Sequence, residues 1–199
     1  MNEKTHSKGR AKRLAGGIAL VLTAMLLVPA SGMAGPKFGA DLNDDPDPVS
    51  TAEACPGGPG WCTRVPLAYT GPGPAATLYA PQDGTIDKIR LISDDPGWFY
   101  PQVVKVKGNV APITEIKVKD QGDLISYAGT GEIEKFDVDL PVKTGQRVAM
   151  RGANAGPLDC HAGVDAEAIA DPSLSVGLPF DDADYYSGCV HLIQAVMAD

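Results

Sequence analysis

Residues 136–140 read FDVDL, with Phe136, Val138 and Leu140 alternating with Asp137 and Asp139. Successive side chains of a strand point to opposite faces, so this period of two gives one dry face and one wet face. A helix would scatter the same apolar residues around its circumference. The period recurs along the chain. Ile89 and Leu91 alternate with Lys88 and Arg90, Val104 and Val106 with Lys105 and Lys107, and Ile116 and Val118 with Lys117 and Lys119. Val148 and Met150 sit between Arg147 and Arg151. Shorter candidates lie at 64–69 and 76–79.

The punctuation fits. Residues 81–84, Gln121-Gly122 and 143–145 carry turn chemistry and predict hairpins. Residues 164–170, VDAEAIA, alone read as a helix, ended by Pro172. Residues 189–197 are apolar on both faces and predict a central, buried strand. Strands at roughly 8–12-residue spacing predict an all-β fold: a two-sheet antiparallel, jelly-roll-like sandwich of about eight or nine strands. No internal repeat is visible.

The N-terminus follows another rule. Lys4, Lys8, Arg10, Lys12 and Arg13 precede an apolar run over 14–28, which meets Pro29 and then small residues up to Ala34. That order predicts a removable signal peptide over 1–34, cut after Ala34 or alternatively after Gly32. A membrane-spanning helix needs about 20 apolar residues; this run is shorter and contains Gly16 and Gly17. The expected destination is extracellular. Residues 35–50 are acidic and proline-broken and read as a flexible acidic arm, leaving 51–199 for the sandwich domain.

Export alters the charge. The full chain has 17 basic and 25 acidic residues, a net of −8. Five basic residues and Glu3 leave with the signal, so the exported part holds 12 basic and 24 acidic residues, a net of −12. Such a surface repels nucleic acid and anionic membranes, and neither is expected as a partner. All four cysteines lie in the exported part, where disulfides persist. Three connectivities exist. The short CPGGPGWC loop favours Cys55–Cys62, which leaves Cys160–Cys189.

The segments APQDGTIDKIRLIS, VVKVKG and LPVKTGQRVAM, in that order, resemble a class of secreted jelly-roll-like β-sandwich proteins abundant in actinobacteria. The matching features are Phe38-Gly39-Ala40-Asp41-Leu42, the Cys55 and Cys62 pair, residues 81–86 and residues 140–148. The resemblance implies the sandwich and the export. It brings no catalytic residues.

Two clusters carry candidate chemistry. Asp41, Asn43, Asp45 and Asp47 are closely spaced oxygen ligands of the kind calcium takes. Pro46 occupies the glycine position of a calcium loop and Ala52 the bidentate glutamate position, so the EF-hand pattern fails. A solvated acidic arm is the first reading and calcium the alternative; no other cofactor is expected. Trp98 and Tyr100 follow a Pro-Gly turn, Trp61 lies inside the first cysteine loop, and Asp181, Asp182 and Asp184 adjoin Tyr185 and Tyr186. Aromatic faces with acids to accept hydroxyl hydrogens suit a sugar-binding surface, while core packing is the competing use of such rings.

Catalysis finds little support. Asp159-Cys160-His161 loses its nucleophile if Cys160 is oxidised. His191 falls in an apolar strand, as a satisfied core residue would. No nucleophile elbow, phosphate loop or H-E-x-x-H is present. The expected function is a non-enzymatic extracellular module that binds a ligand or surface, carbohydrate or cell envelope. The alternatives are a structural or protein-interaction subunit and a small glycan hydrolase.

Overall fold

The computed structural model describes residues 35–40, 42, 55, 60–67, 77–110, 113–152, 158–160, 167–187 and 189–199. The expected signal peptide, the calcium candidates Asp41, Asn43, Asp45 and Asp47, and His161 lie outside them. The described residues form fourteen strands: β1 (Lys37–Gly39), β2 (Cys62–Pro66), β3 (Gly84–Leu91), β4 (Gly97–Val110), β5 (Ile113–Gln121), β6 (Ile125–Tyr127), β7 (Glu134–Val142), β8 (Arg147–Gly152), β9 (Leu158–Cys160), β10 (Glu167–Ala170), β11 (Asp181–Asp182), β12 (Tyr185–Ser187), β13 (Cys189–His191) and β14 (Ile193–Met197). Every pairing is antiparallel. The all-β, two-sheet sandwich read from the alternation is the observed architecture. Short strands of two to four residues raise the count above eight or nine.

A four-stranded sheet runs β1-β14-β3-β7. Its inner face supplies Phe38, Ile86, Ile89, Leu91, Leu140, Val142, Ile193, Ala195 and Met197 to the main core. Phe136 and Val138 pack against that core as the FDVDL pattern requires. The larger sheet contributes Phe99 and Val103 from β4 and Val148 and Met150 from β8, and β6 adds Ile125 and Tyr127. Burial pushes the Tyr127 hydroxyl up to about 12, and the nearby charges of Asp95 and Glu134 act in the same direction.

The larger sheet runs β11-β5-β4-β8-β2-β10-β12, with β6 pairing β4 off this path. Its outermost strands, β11 and β12, are joined by Ala183 and Asp184. Ala183 N–H donates to the Thr114 carbonyl at 2.9 Å and Asp184 N–H to the Ile169 carbonyl at 2.9 Å. One continuous segment thereby bridges β5 and β10 and curls the sheet nearly into a barrel. Val65, Leu67, Val104, Ile116, Val118, Ala149, Ala168 and Ala170 fill its interior. Strand β8 is consequently buried on both faces: Val148 and Met150 meet the four-stranded sheet while Arg147 and Ala149 face the barrel.

Several local expectations change. Residues 167–170 form a strand, not part of a helix: β10 is sandwiched between β2 and β12, and Ala168 and Ala170 fit the narrow interior. The apolar run at 189–197 is two strands, with β14 central in the small sheet and β13 pairing β9. Gln121-Gly122 does not close a hairpin, because Gly122 N–H donates to the Pro101 carbonyl at 2.9 Å and β6 pairs β4 rather than β5. The 143–145 turn carries the chain from one sheet to the other, β7 pairing β3 and β8 pairing β4 and β2. Residues 81–83 form a bend before β3, and 77–80 contain no strand. The beginning of the expected arm joins the sandwich as β1, with Phe38 buried against β14.

The Cys55–Cys62 disulfide is present, with Cα atoms 5.6 Å apart. Cys189 is disulfide-bonded, and the ladder places the Cys160 backbone directly opposite it, as the expected second pairing requires. No helix of the described residues is long and apolar enough to cross a membrane.

Candidate functional site

Register assembles the site at one end of the barrel. Tyr100 on β4 lies opposite Arg151 on β8, and Arg151 lies opposite Thr63 on β2. Thr63 in turn lies opposite Ala170 on β10, so one row of inward positions crosses four strands. Trp98 precedes Tyr100 on the same face of β4, and Trp61 enters just before β2. Their rings meet: Trp61 and Trp98 have centroids 4.6 Å apart, and Trp61 and Tyr100 5.5 Å apart. The Arg151 guanidinium lies 5.3 Å from the Trp61 ring and 5.6 Å from the Tyr100 ring, within cation–π range. Phe99 takes the opposite face and is buried in the main core. Alternation on β4 thus sends one ring into the sandwich and two to the barrel mouth.

A polar network fixes the cluster from below. Thr63 Oγ1 donates to Gln102 Oε1 at 3.1 Å and accepts from Leu174 N–H at 3.0 Å. Gln102 Nε2 donates to the Leu174 carbonyl at 3.1 Å and to Gln121 Oε1 at 2.9 Å. The Leu174 side chain packs into the barrel interior, so the 171–176 segment stoppers this end. Ser173 N–H donates to the Trp61 carbonyl at 2.7 Å, and Arg151 Nε donates to Ser173 Oγ at 3.0 Å. No buried side-chain polar atom of this network lacks a partner, which is what a buried network needs to be rigid. The rings above it stay open to solvent: Trp98 is 36% exposed, and Trp61 and Tyr100 are half-buried.

The predicted residues divide. Trp98 and Tyr100 come together as expected. Asp184 accepts from Asp171 N–H at 2.8 Å and braces the stopper segment. Asp181 and Asp182 do not join them: Asp181 pairs with Ile116, which pairs with Val106 far along β4. At about 3.3 Å per residue, that places them roughly 25 Å from Trp98 along the strand. Tyr185 is exposed on β12 at the sheet edge, across β10 and β2 from β8. The side chain of Tyr186 lies outside the described residues. Arg151 and Ser173 were missing from the sequence reading. Arg151 carried a signal, since it flanks the Val148–Met150 alternation, but nothing local said that its face would be enclosed.

A second polar cluster sits on the barrel's outer side. Glu167, fully buried, receives Arg64 Nη1 at 3.0 Å and pairs with His191 Nδ1. Burial alone would raise the Glu167 carboxyl, but the charges and hydrogen bonds of His191 and Arg64 outweigh it and hold it low. His191 is therefore a partnered core residue that ties β13 to β10 and β2. Among the described residues no group of three or more histidines, cysteines or acids could hold a metal ion.

No family model, curated protein or solved structure matches the chain. The barrel mouth is therefore read from its own geometry.

Proposed function

We propose that this chain is an exported, non-enzymatic module that binds carbohydrate through the Trp61, Trp98 and Tyr100 rings at the barrel mouth. The observation that carries the reading is a partly solvent-exposed aromatic cluster held from below by a hydrogen-bonded polar network. Core aromatics are buried; these stay partly exposed. Sugar rings present apolar C–H faces that pack on such rings, while their hydroxyls find Arg151 as donor and Asp171 and Asp184 of the stopper segment as acceptors. Export is supported by the charged, apolar and small-residue order of residues 1–34 and by the disulfide.

The test is a retention screen on immobilised plant and cell-wall polysaccharides, with calcium and with chelator. At least one neutral glycan should retain the wild-type protein and release Trp98→Ala. Passage of the wild-type protein through every matrix would overturn the reading. A melting temperature unchanged between calcium and chelator would remove the acidic-arm calcium site without touching the aromatic one.

A further inference from the structure

The basic side chains are unevenly engaged. Arg64 pairs with Glu167, Arg90 with Gln194, Lys88 with Asp137, and Lys107 with Glu115 and the Phe180 ring. Arg147 donates to the Pro66 carbonyl and the Tyr79 hydroxyl. Lys105, Lys119 and Lys143 are exposed and have no ion-pair partner among the described residues. All three line one groove of about 640 Å³, where the end of the four-stranded sheet meets the outer face of β4 and β5.

Two acids line the same groove and offset part of this charge, and Lys143 acts on one of them, Asp83. Asp83 Oδ1 accepts from Thr144 N–H at 2.8 Å and Thr144 Oγ1 at 2.9 Å, and these bonds hold its carboxyl below the usual range. Asp120 Oδ1 accepts from Gln121 N–H at 2.8 Å. Each acid keeps a second oxygen without a donor among the described residues. Lys105 also stands directly opposite Lys117 in the β4–β5 ladder, and like charges so placed repel. A bound anion would relieve that repulsion.

We propose that this groove is a second ligand site, taking an anionic polysaccharide. Its charged groups pair with Lys105, Lys119 and Lys143, and its hydroxyls donate to the free oxygens of Asp83 and Asp120. The groove holds far more than one phosphate or sulfate ion, which favours a chain over a free ion. The acceptor carboxylates Asp83 and Asp120 favour a hydroxyl-rich chain over nucleic acid. The site is distinct from the barrel mouth and does not depend on it, since Lys105 faces outward and lies well along β4 from Trp98.

Dextran sulfate is the probe, with neutral dextran, inorganic sulfate and duplex DNA as the other arms. Binding of wild-type protein should weaken with salt along a log–log slope of about −2, the value three displaced counterions give. Lys105→Gln with Lys119→Gln should weaken it at least about tenfold and reduce that slope by more than one. These side chains are exposed, so the variant should fold; an unchanged melting temperature checks this. Trp98→Ala should bind dextran sulfate as wild type does. Absence of wild-type binding would overturn the proposal, as would equal binding of DNA or of inorganic sulfate. So would an equal loss from Lys37→Gln with Lys135→Gln, both remote from the groove, or from Trp98→Ala, which would reduce the two sites to one.

Discussion

The molecule has two interiors built on different principles. Between the sheets, Ile86, Ile89, Leu91, Phe99, Leu140 and Ile193 pack in one apolar cluster that also takes in Tyr127. Inside and around the barrel, small residues such as Ala149, Ala168 and Ala170 leave room for polar groups. Thr63 and Gln102 are wholly buried there, as are Glu167, Arg64 and His191 on its outer side. The first interior owes its stability to area removed from water, which any apolar side chain of the right shape supplies. The second owes its shape to hydrogen bonds and charges that must all be satisfied together. The candidate site grows from the second, because partnered polar groups can hold exposed rings in one arrangement.

The largest expected effect is in the barrel. Glu167→Ala leaves Arg64 and His191 buried without their carboxylate and should cost about 3–5 kcal/mol in denaturant unfolding. The wild-type protein carries the pH signature of the same group. A carboxyl held below its ordinary value of 4.5 stabilises the fold above that pH, and the contribution is lost as pH falls through the folded-state value. Acid unfolding monitored by circular dichroism should therefore flatten in Glu167→Gln.

Next comes the sheet interface. Ile89→Ala should cost about 2–4 kcal/mol through lost transfer energy and a residual cavity, with no acid dependence of its own. The same core should titrate on the alkaline side. Tyr127 stays neutral to about 12 in the fold, so its contribution is intact below pH 10 and is lost as pH rises toward 12. The loss is about 2 kcal/mol, and Tyr127→Phe should remove it from the alkaline stability profile. Smaller again is Gln102→Ala, which strands the Leu174 carbonyl and Thr63 hydroxyl at about 1–2 kcal/mol. Its sharper signature is looser protection of the 171–176 amides in hydrogen exchange. Equal sensitivity of both interiors to acid would break the distinction.

The apolar interior was legible in the sequence and the polar one was not. Alternation at 88–91 and 136–140 names the buried face directly, because nothing but water exclusion decides it. On β8 the same alternation named Val148 and Met150 but left Arg147 and Arg151 as a wet face. Closure of the barrel by Ala183 and Asp184, a long-range event, encloses the first and half-buries the second. The helical reading fails over 167–170 for a related reason. Alanine and glutamate favour a helix locally, yet Ala168 and Ala170 are the side chains that the crowded interior admits, and Glu167 finds its charges from β2 and β13. Trp98 and Tyr100 were found from composition and turn chemistry. Their association with Trp61 depends on a register that no local pattern reports.

The central claim is that Trp61, Trp98 and Tyr100 act as one sugar-facing surface. It is tested most directly by following the two indole N–H resonances while titrating a glycan that retains the protein. Both should shift along one binding curve, and Trp98→Ala should abolish the Trp61 shift while changing stability by less than about 0.5 kcal/mol. Binding that leaves both indoles unmoved, or that survives Trp98→Ala at full affinity, would contradict the account.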